Sequence, residues 1–439
     1  MSRRKPLPAD PVEAVVDALS HDGRGVAHLD GKATFIDGAL PGERVRFRYT
    51  RITRRFDEGR VVEVLEASPD RVEPRCPHAL VCGGCSLQHM DPDAQILAKQ
   101  QTLLANLQRI GGVRPGKLLE PLRGPYWGYR HKARLGVKRV RAKGRVLVGF
   151  REKRKPWIAE LSRCEVLHPS VGQRLEELAA LVDSLSIPDR IPQIEVAVSD
   201  DATALVFRHL DPLGAEDLDR LRAFARESGI HVYLQPKGPD SVELLWPERS
   251  VLSYRLPEQG LELWFRPTDF TQVNPAVNRA MVGQALALLD PRPGERVLDL
   301  FCGLGNFTLP LAQRAGEVVG VEGDAALVER ARDNAGRNGI GNAAFHMANL
   351  AEDITDRTWF REGFDKLLLD PPRSGAAELV PRIATLGVGR ILYVSCHPGS
   401  LARDTGMLVN DHGYRLVAAG VMDMFPHTAH VESMALLEK

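Results

Sequence analysis

No run of 18 or more apolar residues occurs in the 439-residue chain, which excludes a membrane-spanning helix. The opening residues, Met1-Ser-Arg-Arg-Lys-Pro6, lack the apolar core of a secretory signal, so a cytoplasmic chain is expected. Cysteine is scarce, with six at positions 76, 82, 85, 164, 302 and 396. In a cytoplasmic chain such thiols point to metal binding or catalysis, not to a disulfide framework. Net charge is nearly absent too, at +1, but it is balanced by segregation. Residues 123–155 carry 13 Lys or Arg against one acid, Glu152, leaving about −11 for the remainder. A basic cluster of this kind is the footprint of a polyanion. Tyr126, Trp127, Tyr129 and Phe150 are interleaved with it, and aromatic rings are what unpaired bases stack on. A solvated surface without a partner is the plainer alternative.

What is present divides into three parts. Turn signals at Asp22-Gly23, Asp30-Gly31 and Pro41-Gly42 cut residues 12–66 into short strand patterns. In one of them Val45, Phe47 and Tyr49 alternate with Arg44, Arg46 and Arg48, so an apolar face should oppose a basic one. We expect an OB-like β-barrel over residues 10–68, and this stretch resembles the TRAM domain of RNA-modifying enzymes. A central α+β domain is expected over 69–262. It would include an amphipathic helix at 91–111 that docks on the catalytic domain. From about 292 strands and helices alternate, which predicts a parallel, Rossmann-like α/β domain over 263–439.

The central part opens on Cys76-Pro-His-Ala-Leu-Val-Cys82-Gly-Gly-Cys85, a ligand cluster short of a fourth member. Cys164 is the candidate, 79 residues further on. All-cysteine ligation suits zinc or an iron–sulfur cluster. A second CxxC unit, usual in structural zinc sites, is missing, which favours iron–sulfur.

In the last part, strand Arg296-Val-Leu-Asp-Leu300 runs into Phe301-Cys-Gly-Leu-Gly-Asn306, and the next strand pattern ends at Glu322. A Gly-rich turn with an acid about 20 residues on suits a nucleoside's ribose. The third glycine of the dinucleotide fingerprint is absent, Thr308 standing in its place, so there is no call for a pyrophosphate. Asn349, Asp370 and Cys396 follow later strand patterns, and ligands bind outside the carboxyl ends of such strands. Asp370-Pro-Pro372 lacks the aromatic residue that follows this motif in methyltransferases acting on exocyclic amines; Arg373 stands there instead. A thiolate beside a methyl donor suits a ring carbon. Attack at C6 of uracil makes C5 nucleophilic, and a base such as Glu432 must then take the C5 proton.

With these motifs in view, the chain resembles the RNA uracil-C5 methyltransferases, in particular the large-subunit ribosomal RNA branch. The motifs are the spaced cysteines, Phe270-Thr-Gln272-Val-Asn274, Asp299-Leu-Phe-Cys-Gly303, Asp370-Pro-Pro-Arg373, and Ser395-Cys396-His-Pro398 with Leu401-Ala-Arg-Asp404. The resemblance implies that Cys76, Cys82, Cys85 and Cys164 hold a [4Fe–4S] cluster. It further implies that Gln272, Phe301, Asn306, Glu322, Asn349 and Asp370 bind S-adenosylmethionine, with Cys396 the nucleophile and Glu432 the base. The partner implied is 23S ribosomal RNA, and a monomer is expected. Another 23S uridine, the transfer-RNA T-loop, or a non-catalytic RNA-binding factor are the alternatives. One departure is His397, where the family often has asparagine.

Overall fold

A computed structural model describes residues 7–439. They form two compact units. One comprises the chain up to residue 102 with residues 150–159 and 425–430; the other comprises 103–149, 160–424 and 431–439.

The first unit holds a six-stranded sheet in the order Val12–Val15, Arg44–Ile52, Asp57–Glu66, Lys32–Asp37, Gly25–Leu29, Ala18–Leu19. Val45 and Phe47 are fully buried while Arg44 and Arg48 are exposed, as the alternation predicts. The opposite face is less basic than expected. Across the strands Arg46 meets Glu13 at 2.9 Å and Glu63 at 2.7 Å, and Arg44 meets Glu66 at 2.6 Å. The register sets these pairs opposite one another, and opposite charges so placed cancel.

The cysteine loop of this unit is braced by the basic segment 150–159. Cys82 bridges to Glu152, Gly83 N–H donates to Arg151 O at 2.8 Å, and Lys153 N–H donates to Val81 O at 2.9 Å. Trp157, which lies just beyond the counted basic run, is 62% exposed with Lys155 Nζ 4.9 Å from its ring centre.

The expected helix spans Pro92–Arg109. Its buried face is Ile96, Lys99, Leu103 and Leu107, whereas Leu97 is exposed. Lys99 fits this face because its stem packs while its ammonium donates to Phe425 O at 3.0 Å.

In the second unit, Lys132–Val140 and Arg145–Gly149 form one end of a six-stranded sheet continued by Gln193–Val198, Thr203–Arg208, His231–Gln235 and Glu243–Trp246. Much of the basic run is engaged here. Lys132 and Arg134 flank Glu195 at 3.6 and 3.8 Å, Arg139 meets Asp183 at 3.5 Å, and Lys143 and Arg145 share Glu160. Tyr129 is buried, so it cannot serve as a stacking platform as expected; its ring is spent on the core.

The same unit contains an eight-stranded sheet. Its order is Ala343–Met347, Glu317–Glu322, Arg296–Leu300, Lys366–Leu369, Arg390–Ser395, Glu432–Glu438, Arg415–Met422, Lys117–Leu118. The first five strands are parallel, and the apolar runs of all but the edge strand Ala343–Met347 are buried on both faces, as a doubly covered sheet requires. The chain steps outward from Arg296–Leu300 to Ala343–Met347, then returns to the other side, so a switch point falls between Arg296–Leu300 and Lys366–Leu369.

Below this sheet, helix Pro398–His412 approaches the Gly111 backbone closely. A Cβ on Gly406 would sit 2.6 Å from Gly111 O, and one on Gly111 would sit 2.4 Å from Ala402 O. Gly406→Ala should therefore destabilise the protein by about 1–3 kcal/mol, the usual range for overpacking. Calorimetry would read this as a lower Tm, and an unchanged Tm would refute the tight approach.

Candidate active site

Strand Arg296–Leu300 stops where the backbone turns left-handed. Phe301 has φ +65° and Gly303 φ +57°, and the N–H groups of Phe301 and Cys302 both donate to Val321 O, at 2.9 and 3.1 Å. A non-glycine residue held in this region costs about 1–2 kcal/mol. Strain of this kind persists where surrounding structure imposes it, as at ligand-binding turns. Asn306 closes the turn. Its side-chain amide exchanges hydrogen bonds with Asn278 at 2.9 and 3.0 Å and accepts a third from Tyr254 Oη at 2.9 Å.

Neither Tyr254 nor Asn278 was singled out in the sequence. Asn278 had a signal, however, since it lies four residues beyond Asn274 in the Phe270–Asn274 motif. That motif leads into helix Pro275–Leu289, which Asn274 caps by accepting the Val277 N–H. Gln272, half-buried, lies in the loop just before this cap.

Carboxylates gather around the turn. Glu322 Oε2 accepts the Gly303 N–H at 3.1 Å, and its Oε1 accepts the Gly323 N–H at 2.7 Å. Asp299 is fully buried, with Oδ2 accepting from Thr308 Oγ1 at 2.5 Å and Oδ1 without a protein partner. Burial pushes Asp299 up to about 7, aided by the negative charges of Asp370 and Glu322 and opposed by the Thr308 hydroxyl. Asp370 rises to about 7 for the same reasons, burial first and Glu322 second. Such a ring of acids suits a ligand that brings positive charge.

Two of the six cysteines lie in this unit's α/β sheet, and they differ. Cys302 is buried, and burial together with Asp299 and Glu322 pushes its thiol far up, away from thiolate chemistry. Cys396 is only half-buried and follows the last residue of strand Arg390–Ser395. Burial, Glu432 and Asp370 raise its thiol, and Arg373 opposes them.

Glu432 arrives beside it from the chain's end. Strand Glu432–Glu438 runs antiparallel to Arg390–Ser395 with Ser395 opposite Ser433, so positions 396 and 432 are the next facing pair. His397 caps helix Pro398–His412 by accepting the Ser400 N–H on Nδ1 at 3.1 Å. Asparagine is equally a capping residue, which removes the physical weight of that departure.

Phe301–Asn306, Glu322, Asp370 and Cys396 therefore share one rim of the sheet. Asn349 also follows its strand, at the sheet's edge, but it is exposed and donates to Glu352 Oε1 at 2.9 Å.

Cys76, Cys82 and Cys85 are buried in the first unit, and Cys164 is buried in the second. The Gly84 N–H donates to Cys82 Sγ at 3.4 Å. Among the described residues no three His, Cys, Asp or Glu side chains are gathered to hold a metal ion.

The profile of the tRNA (Uracil-5-)-methyltransferase family matches residues 199–439, and that of the TRAM domain matches residues 11–62. The chain belongs to the RNA uracil-C5 methyltransferase family. It is 59% identical over 438 residues to the 23S rRNA (uracil(1939)-C(5))-methyltransferase RlmD of Alkalilimnicola ehrlichii, covering 100% of this chain and 98% of that one. The enzyme of the same name from Methylococcus capsulatus is 55% identical, with 100% and 99% covered. Among solved structures, the Pyrococcus abyssi tRNA (uracil-54, C5)-methyltransferase in complex with S-adenosyl-L-homocysteine aligns with TM-score 0.73 at 25% identity. That alignment covers 97% of this chain and 99% of the other. Members of this family are enzymes, and the TRAM match agrees with the reading of the N-terminal sheet.

Because the folded state raises the Asp299 and Asp370 pKa values from 3.8 to about 7, it holds protons that the unfolded chain has released. Stability from these groups is full below about pH 4 and is lost as pH rises through about 7. Asn mimics the protonated acid. The Tm of Asp299→Asn relative to the unsubstituted protein should therefore be more favourable at pH 8 than at pH 5. Equal Tm differences at the two pH values would contradict the raised pKa.

Proposed function

We propose that this enzyme methylates C5 of a uridine in 23S ribosomal RNA, the position equivalent to 1939 named for its relatives. The observation that carries the substrate choice is identity. The 23S-named relatives stand at 55–59% over the whole chain, against 25% for the transfer-RNA enzyme. Such a substrate places the work in the cytoplasm, and no helix among the described residues is long and apolar enough to cross a membrane.

S-adenosylmethionine supplies the methyl group. Glu322 is suited to its ribose hydroxyls, and Phe301, Asn306 and Gln272 are suited to line its site. Asp370 and Asp299 add negative charge next to a sulfonium. Asn349, at the sheet's edge and tied to Glu352, is the weakest member of this set.

The target uracil must leave its stack to enter. The Cys396 thiolate adds to C6, a C–S bond forms, and the C5=C6 electron pair shifts into an enolate. C5 takes the methyl group from the sulfonium. Glu432 then removes the C5 proton, the C5=C6 bond is restored, and the thiolate leaves. A non-catalytic RNA-binding protein would have no use for an acid and a half-buried cysteine set facing each other across a strand pair.

We further infer that Cys76, Cys82, Cys85 and Cys164 hold an iron–sulfur cluster of the [4Fe–4S] type. Four buried thiols and an amide directed at Cys82 Sγ are a suitable donor set. Arg151 and Arg154, with exposed Trp157, give the adjacent hairpin the charge and ring surface that single-stranded RNA requires.

Cys396→Ala should abolish methylation of a 23S fragment while S-adenosylmethionine still binds; retained turnover would sink the nucleophile assignment. Glu432→Gln should trap a covalent protein–RNA adduct that survives a denaturing gel, and no slow-migrating species would remove Glu432 from its role. Protein purified without oxygen should be brown with a broad band near ~400 nm, lost in Cys82→Ser. A colourless, iron-free preparation would exclude the cluster.

A further inference from the structure

We infer that Asp404 is a positioning residue for the nucleophile, fastening the turn that carries Arg373 at a set distance from Cys396. This rests on Cys396 being the attacking thiolate.

Asp404 lies in the second turn of helix Pro398–His412 and is fully buried. Its Oδ2 accepts the Ala376 N–H at 2.6 Å and the Tyr393 hydroxyl at 2.7 Å, and its Oδ1 accepts Arg403 Nε at 2.7 Å. Arg403 also donates to Ser374 O at 2.8 Å. Three pieces of chain meet on one carboxylate. Tyr393 stands three residues before Cys396 on its strand, Ala376 ends the turn that begins at Asp370, and Asp404 itself is on the helix after the nucleophile.

The turn is built to be held this way. Gly375 N–H donates to Pro372 O at 2.8 Å, which makes Arg373 and Ser374 its corner residues. Gly375 has φ +78°, and a Cβ there would lie 2.5 Å from Asp404 Oδ2 and 2.7 Å from an Arg403 nitrogen. Only glycine leaves the clamp its place. A buried carboxylate is also a poor device for stability alone, since desolvating it is costly unless every lone pair is used.

The geometry has an electrostatic consequence at Cys396. The charged groups facing it are Glu432 from the neighbouring strand and Asp370 and Arg373 from this turn, and Arg373 alone of the three favours the thiolate. Next to it in sequence, His397 has Nδ1 engaged with the Ser400 N–H. Asp370 is tied to the sheet by its N–H, which donates to Leu300 O at 3.3 Å, so a turn freed from Asp404 would leave the acids in place while the opposing cation moves off, and Coulomb attraction falls with separation.

The test is the pH profile of Cys396 alkylation by iodoacetamide, followed on the Cys396 peptide by mass spectrometry. Asp404→Asn should move the profile to higher pH, slowing alkylation near neutrality about three- to tenfold while the alkaline plateau stays the same. Arg373→Gln should give a similar shift, and the double variant no more than Arg373→Gln alone. An unmoved profile in Asp404→Asn, or a further shift in the double variant, overturns the proposal. If Asp404→Asn does not fold, Tyr393→Phe removes one hydroxyl donor and should move the profile in the same direction; no movement overturns it equally. Methylation by Cys396→Ala reads the nucleophile assignment separately, so a failure of either claim is distinguishable from a failure of the other.

Discussion

The active site depends above all on an antiparallel strand laid against a parallel sheet. Strand Glu432–Glu438 slots in beside Arg390–Ser395 in a register that pairs Ser395 with Ser433. Side chains alternate along strands, so a slip of one residue would turn Glu432 to the opposite face from Cys396. That register is secured by burial, because Met434 to Leu437 are packed into the core on both faces of the sheet. Glu432, the proposed proton acceptor, is thus placed by the same packing that closes the domain.

The rest of the rim follows from topology. Parallel strands end together, so residues at or next to their carboxyl ends gather along one edge. The consequence is an accumulation of carboxylates in which Asp370 and Glu322 raise the proton affinity of Asp299, and Glu322 that of Asp370. Acids grouped in this way suit a cationic ligand, which is the charge of the proposed methyl donor. Cys396, the proposed nucleophile, sits at the border of this field, where Glu432 and Asp370 disfavour a thiolate. Arg373, held by a turn that is itself clamped to Asp404, offsets them.

The first unit shows a different economy. Its sheet carries the alternating arginines of a nucleic-acid surface, yet Arg44 and Arg46 are matched by Glu13, Glu63 and Glu66. The basic run at 123–155 is likewise drained by Glu160, Asp183 and Glu195, acids distant in sequence. What stays available is narrower: a hairpin that braces the cysteine loop and exposes Trp157.

By itself the sequence determined the strand–turn–helix rhythm of the α/β domain, the Gly-rich turn, and Cys396 at a strand's end. Those are local matters of apolar runs, glycine's access to positive φ, and proline's refusal to continue a strand. It also made Glu432 a candidate, but only as one acid near the chain's end. The tertiary structure alone decided that Glu432 faces Cys396, that Tyr254 and Asn278 hold Asn306, and that Asp404 ties down the Arg373 turn. It also decided which cations are spent on neighbours and which ring, Trp157 and not Tyr129, is exposed. Pairings between residues tens to hundreds of positions apart leave no periodicity in the chain, and only packing brings them together.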